Sequence, residues 1–398
     1  MIKIKQDFFH GLALVCICTI ILTLCISVCG CRGDKPDQPD RPTPTPKPHE
    51  QTVITANGHT IYKNGTPVQF KGLGLYFIWE RQLTDDYLND LFLYLQSYKF
   101  NMIRVFAIST FQKSRLESMG VPTWQIFNKN ANGKYDLNSI NTDWLTYIRR
   151  FTEIAGTYGI TVAVVQSDIC GFKQYGTDEY GWNTSAFNYR NNVNGKYDYS
   201  GSQYFKFYRV DYKPDKYPGL CELWESVIRQ TVNALCHQGN VIWEIGNELS
   251  QESSHEPYQW LQNFMGHIHD WTVSQYQNSG SPHIPVFANS DEYAYFWGTN
   301  KVNLQWSHSH LETTSFNGVS TDGCRSNQFG TVNDFKNIAT NHRNRGKHFE
   351  MHMAFMSTYI GWQPGDMTGM IWDTEPLVNP SVHWEAHLKP YFEVIKNL

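Results

Sequence analysis

The chain has 398 residues, a formal net charge of -4 and no run of lysine or arginine, which argues against a nucleic-acid partner held through phosphate charge. Five of its nine cysteines fall before residue 32, and the other four (Cys170, Cys221, Cys236 and Cys324) are widely spaced. That spacing implies neither a dense disulfide framework nor a metal site, and nothing in the chain suggests a cofactor.

The first fifty residues do not read as part of a fold. Lys3 and Lys5 precede an apolar run over residues 11–28 that ends in Val28-Cys29-Gly30-Cys31. A positive start, an apolar middle and small residues at the end describe an export signal, here residues 1–30. Its last four residues resemble a bacterial lipobox, which implies lipidation at Cys31 and a membrane-anchored lipoprotein, periplasmic or at the cell surface. Residues 31–50 follow as a linker, with Pro36, Pro39, Pro42, Pro44, Pro46 and Pro48. Such a segment cannot bury a core and extends as a spacer. Residues 51–398 form one domain, because no second linker, charge block or internal repeat interrupts them.

Within that domain, residues 53–70 predict a β-hairpin, since Asn57-Gly58 and Asn64-Gly65 are strong turn dipeptides between β-prone residues. Residues 70–77 give a first buried strand. Thr84-Asp85-Asp86 opens a helix, and Tyr87, Leu88, Leu91, Phe92 and Leu95 recur at helical spacing. Residues 101–107 are a second strand with Arg104 in the middle of an apolar run. A helix from Thr142 ends near Gly159, and residues 160–166 are the third strand. A helix over 218–237 leads into residues 240–249, Asn-Val-Ile-Trp-Glu-Ile-Gly-Asn-Glu-Leu, the fourth strand with Asn247 and Glu248 at its end.

A helix over 257–271 follows, then strands five at 284–288 and six at 302–306, the latter before Ser307-His308-Ser309-His310. A helix over 332–345 precedes a short seventh strand at 347–349 that ends in Glu350. Residues 367–372, closing on Trp372, are the eighth strand, and a last helix covers 381–396. Eight strands alternating with helices predict a parallel sheet closed as a (β/α)8 TIM barrel of the α/β class, with its site at the C-terminal strand ends. After strand three, residues 171–217 form a long, aromatic-rich loop expected over the barrel mouth, where some rings are expected to line the site. Trp79, Trp124, Trp182 and Trp297 follow strand ends and are platform candidates, Trp79 and Trp182 foremost.

Two glutamates, after strands four and seven, would face each other across the mouth. Paired carboxylates are what glycoside hydrolysis requires: one protonates the leaving oxygen and the other meets the oxocarbenium-like carbon. On these residues the chain resembles clan A of the glycoside hydrolases, especially the family 5 cellulase and mannanase group. The likeness runs from Ala56-Asn57-Gly58 and Asn64-Gly65-Thr66-Pro67 through Gly72, the Arg104 strand and Gly246-Asn247-Glu248 to Trp372.

The resemblance implies a retaining enzyme acting on β-linked polysaccharide or oligosaccharide of the β-mannan or β-glucan kind. It implies that Glu248 is the acid/base, Glu350 the nucleophile and Asn247 a partner for the substrate 2-hydroxyl. Arg104 would help hold Glu350 ionised, and Trp372 would form a sugar platform. Where the group usually has a tyrosine after strand six, this chain has His308 and His310, which would take its place beside the nucleophile. Glu312 and Glu375 are rivals to Glu350 for that role. The alternative is a carbohydrate-binding surface lipoprotein on the same scaffold without catalysis.

Overall fold

The computed structural model describes residues 51–75, 78–107, 122–166, 186, 188, 190–194, 220–246, 258–290, 301–307, 317–320, 332–351 and 389–398. The segments expected as export signal and linker, the eighth strand expected at 367–372 and most of the loop expected at 171–217 lie outside them. Among the described residues no helix is long and apolar enough to cross a membrane.

The domain opens with three short antiparallel strands, β1 (Ile54–Asn57), β2 (Thr60–Lys63) and β3 (Thr66–Pro67). Asn64 and Gly65, between β2 and β3, both take positive φ, 49° and 76°, the geometry of a tight hairpin turn that asparagine and glycine tolerate. Eight parallel strands follow: β4 (Lys71–Gly74), β5 (Met102–Phe106), β8 (Thr161–Val165), β9 (Val241–Glu244), β10 (Val286–Ser290), β11 (Leu304–Ser307), β12 (Gly318–Ser320) and β13 (His348–Met351). They pair in that order, and β13 pairs back onto β4, so the sheet closes as a barrel. A separate hairpin, β6 (Phe127–Lys129) with β7 (Tyr135–Ile140), lies outside the ring. It has no counterpart among the expected elements.

Helices α1 (Asp85–Ser97), α2 (Thr142–Thr157), α3 (Leu220–Leu235), α4 (Tyr258–Asn278), α5 (Val332–Asn344) and α6 (Lys389–Asn397) connect and flank the strands. Thr84 caps α1 by accepting from the Tyr87 N–H, as the sequence predicts. The cap of α2 is Asn141, one residue before the threonine expected to start it. Gly159, just past the end of α2, takes φ 71°, which ends the helix without the penalty a side chain would meet.

Period-2 alternation divides the core in two. One set of strand residues, including Ile103, Val105, Val162, Val164, Val241 and Trp243, packs outward against the helices. The other fills the barrel: Met102, Ala163, Ile242, Val286, Ala288, Leu304 and Trp306, joined by Ile54, Ile61 and Phe70 from the N-terminal segment. The hairpin is thus the floor of the barrel. It is fixed there by Ile54 N–H donating to the Gly239 carbonyl at 2.8 Å, and by Asn303 and Asn317 donating to the carbonyls of Gly58 and His59 at 2.9 and 3.0 Å.

Asparagine recurs where strands begin. Asn101, Asn303 and Asn317 each accept from the N–H of an earlier strand residue, Lys71, Phe287 and Gln305 respectively. These amides satisfy backbone groups at the ladder's start that would otherwise be buried unpaired.

Two expectations change. Residues 318–320 form a strand that was not anticipated. Three residues, the first a glycine, give too little period-2 pattern to stand out. Gly318 is needed there, because a Cβ would lie 2.7 Å from the Trp306 ring. The segment expected as strand seven consequently takes the eighth place: His348–Met351 pairs with β12 on one side and β4 on the other. Both its edges are filled, so the position expected for residues 367–372 beside the first strand is occupied.

At the floor, His348 is buried and its Nδ1 accepts the Phe70 N–H at 3.0 Å, with the two rings 5.1 Å apart. Burial pushes its pKa down from the ordinary 6.5 to about 4. Between those values the unfolded chain binds a proton that the folded chain refuses. The stability tied to neutral His348 is therefore complete above about pH 6.5 and is lost as the pH falls toward 4. The full effect is about 3 kcal/mol. Thermal unfolding from pH 7.5 to 5 is expected to show a falling Tm, and His348→Gln, which keeps an acceptor for Phe70, should flatten that fall. An unchanged slope in the variant would locate the titration elsewhere.

Candidate active site

Inside the barrel, above the apolar packing, three charged side chains meet: Arg104 of β5, Glu244 of β9 and Glu350 of β13, each with no exposed surface. They share the inward parity of Met102, Ile242 and His348. β9 and β13 stand four places apart in the ring of eight, so the two glutamates reach toward Arg104 from opposite walls. Gly72, paired with Glu350 on the neighbouring strand, leaves room for this. A Cβ there would collide with the Met102 methyl and sit 3.4 Å from Cγ of Glu350.

The guanidinium is shared unequally. Its Nε and Nη2 donate to Oε2 and Oε1 of Glu244 at 2.7 and 2.5 Å, the parallel two-bond geometry that carboxylates and arginine favour. Its Nη1 donates to Oε2 of Glu350 at 3.4 Å. A buried guanidinium demands such partners, and a buried carboxylate demands such a cation. Among the described residues no group of three histidine, cysteine, aspartate or glutamate side chains could hold a metal ion.

Of the residues singled out in the sequence, the structure brings Arg104 and Glu350 together. Asn247 and Glu248 lie outside the described residues, which stop at Gly246 on this exit; Glu248 follows the end of β9 by four residues. His308 and His310, one and three residues past β11, also lie outside them, as do Trp182, Trp297, Glu312, Trp372 and Glu375.

Trp79 is a correction. It is 2 % exposed, sits in the outer core with its ring edge-on to Phe151 at 5.9 Å, and its carbonyl accepts the Trp144 indole N–H. Packed on its faces by protein, it offers no platform to a sugar. Trp124 is half-buried against Tyr147, 5.2 Å between centroids. The described part of the long loop docks on β7: the Tyr135 N–H donates to the Asn191 carbonyl and the Val193 N–H to that of Tyr135.

Glu244 is the residue that sequence reasoning missed. It stands in the apolar run Val241-Ile242-Trp243-Glu244-Ile245, as Arg104 stands in its own. The available signal was that both buried charges need partners and both fall at inward positions of barrel strands.

No protein-family model and no curated protein matches this chain. Solved structures do. One glycoside hydrolase superposes at a TM-score of 0.47 and 11% identity, over 87% of this chain and 73% of its own. A glycoside hydrolase family 5 from Bacteroides vulgatus ATCC 8482 gives 0.46 and 11%, over 85% and 70%. A β-1,4-D-mannanase from Cryptopygus antarcticus gives 0.45 and 12%, over 87% and 95%.

Proposed function

We propose that this chain is a retaining glycoside hydrolase acting on β-linked polysaccharide or oligosaccharide of the β-mannan or β-glucan type, with Glu248 as acid/base and Glu350 as nucleophile. The observation that carries this reading is the Arg104–Glu350 contact at 3.4 Å inside the barrel, with Glu350 on the strand opposite the one that leads to Glu248. A carboxylate that faces a guanidinium inside the barrel is held by that contact where the nucleophile of such a reaction would stand. A second carboxyl group, that of Glu248, would protonate the leaving oxygen.

In the first step Glu350 attacks the anomeric carbon while Glu248 gives its proton to the departing sugar oxygen. In the second, Glu248 takes a proton from water as that water releases the sugar from Glu350. The configuration is inverted twice and so retained. Asn247 would bond the 2-hydroxyl, and His308, His310, Trp372 and Trp182 would contribute to the sugar subsites. Glu350 lies next to the C-terminal end of β13, so a saccharide would approach it from that side of the barrel.

The test is a product profile of the purified protein on mannan, cellulose, xyloglucan and β-1,3-glucan, with the anomeric configuration of fresh product read by NMR. The fluorosugar adduct of a 2-deoxy-2-fluoro glycoside should map to Glu350. No product from any of the four, together with measurable polysaccharide binding, would favour the non-catalytic alternative, for which the burial of Glu350 is the favouring observation.

The lipobox-like Val28-Cys29-Gly30-Cys31 supports an exported protein anchored to a bacterial membrane, periplasmic or at the cell surface, through Cys31. Cys31→Ser is expected to move the protein from the membrane to the soluble fraction on carbonate washing. Retention of the variant in the membrane would refute lipid anchoring at this cysteine.

A further inference from the structure

We infer that the floor of the barrel is a docking face for the anionic headgroups of a membrane, and this rests on the reading of Cys31 as a lipid anchor. The chain enters the domain at that floor. The Thr52 hydroxyl donates to the Gly156 carbonyl at 3.0 Å, and the Ile54 N–H to that of Gly239 at 2.8 Å. A Cβ on Gly239 would lie 2.8 Å from the Thr52 carbonyl oxygen and 3.0 Å from the His283 ring, so the entry point packs beside residues 281–285. Within them Ile284 is 76 % exposed, the most exposed large apolar side chain among the described residues. A single such residue is ordinary on a soluble surface; next to a membrane tether it is placed to enter the lipid interface.

The same face is one-sided in charge. Among the described residues it consists of the N-terminal segment 51–71 and the turns that feed the strands, 98–101, 158–160, 236–240, 279–285, 301–303 and 345–347. None of these contains aspartate or glutamate, yet they carry Lys63, Lys71, Lys99, Lys301, Arg345 and Lys347, in a chain whose formal net charge is -4. Lys301 is taken up by Asp270 at 2.8 Å. Glu153 and Glu393, toward the ends of α2 and α6, are paired with Arg150 at 3.7 Å and Lys396 at 4.0 Å. Lys71 donates to the Ile395 carbonyl at 3.3 Å, and burial together with the positive charges of Arg343 and Lys99 pushes its pKa down to about 8. Cations gathered in this way are relieved by an anion brought alongside.

A basic face with an exposed aliphatic residue fits an anionic bilayer, where lysine and arginine are attracted over about a Debye length and the apolar side chain enters between headgroups. The tether by itself leaves orientation open, because residues 32–50 extended at ~3.1 Å per residue reach ~60 Å. The chemistry of the face decides it. With the floor on the membrane, the C-terminal strand ends point away from it, toward a polymer in solution.

The experiment places the full lipidated chain on vesicles of phosphatidylcholine alone, or mixed with phosphatidylglycerol, and reads backbone hydrogen exchange. With phosphatidylglycerol, residues 98–101, 279–285 and 345–347 are expected to exchange more slowly by about threefold or more, while residues 142–146, where α2 starts at the mouth end, are unchanged. High salt should remove the difference. Lys99→Glu combined with Arg345→Glu should abolish it and Ile284→Ser should reduce it; all three side chains are exposed, so the fold is kept. Equal exchange on the two kinds of vesicle, or protection that survives the charge reversal, overturns the inference. Protection given equally by soluble dextran sulfate and untouched by Ile284→Ser would assign the face to a soluble polyanion and overturn it too. A wild-type chain that does not float with phosphatidylcholine vesicles would refute the Cys31 anchor. The floor is then read on phosphatidylglycerol vesicles alone, where absence of binding overturns the docking face as well.

Discussion

Glu350→Gln is expected to abolish turnover on any substrate the chain cleaves, because on the proposed mechanism an amide could not form the glycosyl ester through which retention would proceed. Glu248→Gln, which would remove the proposed proton donor but leave the proposed nucleophile, should lower kcat by ~10²–10⁴-fold. The loss should be smaller on substrates whose leaving group needs no proton, such as dinitrophenyl glycosides. KM should change little in both variants, since neither substitution removes ground-state binding. The pair discriminates, because the two roles respond differently to leaving-group acidity. Full activity in either variant would remove the corresponding role, and with Glu350 would reopen the claims of Glu312 and Glu375.

The second large effect falls on stability. Arg104→Leu leaves Glu244 and Glu350 buried together without this cation, both at 0 % exposure. Removing one member of a buried ion pair costs roughly 3–5 kcal/mol, because an uncompensated charge is left in a low-dielectric interior. Denaturant unfolding at pH 7 is the measurement. Arg104→Leu combined with Glu244→Leu should recover part of the loss, since one of the two carboxylates that face Arg104 is then gone. Arg104→Lys should fall between wild type and Arg104→Leu: the ammonium keeps the charge but cannot make the two parallel bonds to Glu244. A loss below about 1 kcal/mol for Arg104→Leu would mean that water reaches these groups and that they do not form a buried cluster.

Both predictions depend on a site that was half legible in the chain itself. Arg104 and Glu350 could be named because each interrupts or ends a β-prone stretch, and charge in such a place needs a reason. Glu244 sits in an equally apolar run, but the pair Asn247-Glu248 three and four residues later carries the stronger local signal. Trp79 misled in the opposite sense. Its position after a strand end suggested a platform, but whether an indole faces solvent or Phe151 depends on the direction the chain takes through Ile78–Glu80, which no periodicity encodes.

The amino-acid sequence alone determined the elements whose signals are local: the Asn64-Gly65 turn, the Thr84 cap, the glycine stop after α2 and the apolar β-prone runs that became β4, β5, β8 and β9. Turn dihedrals, caps and side-chain periodicity act over a few residues, so a few residues suffice to reveal them. Tertiary structure decided the rest. It recruited Gly318–Ser320 as a strand, moved the Glu350 strand from seventh place to eighth, and gave Arg104 its closest bonds to Glu244. A three-residue strand owes its existence to the two ladders beside it, and the partner of a buried charge is selected by barrel register, across 140 residues of chain.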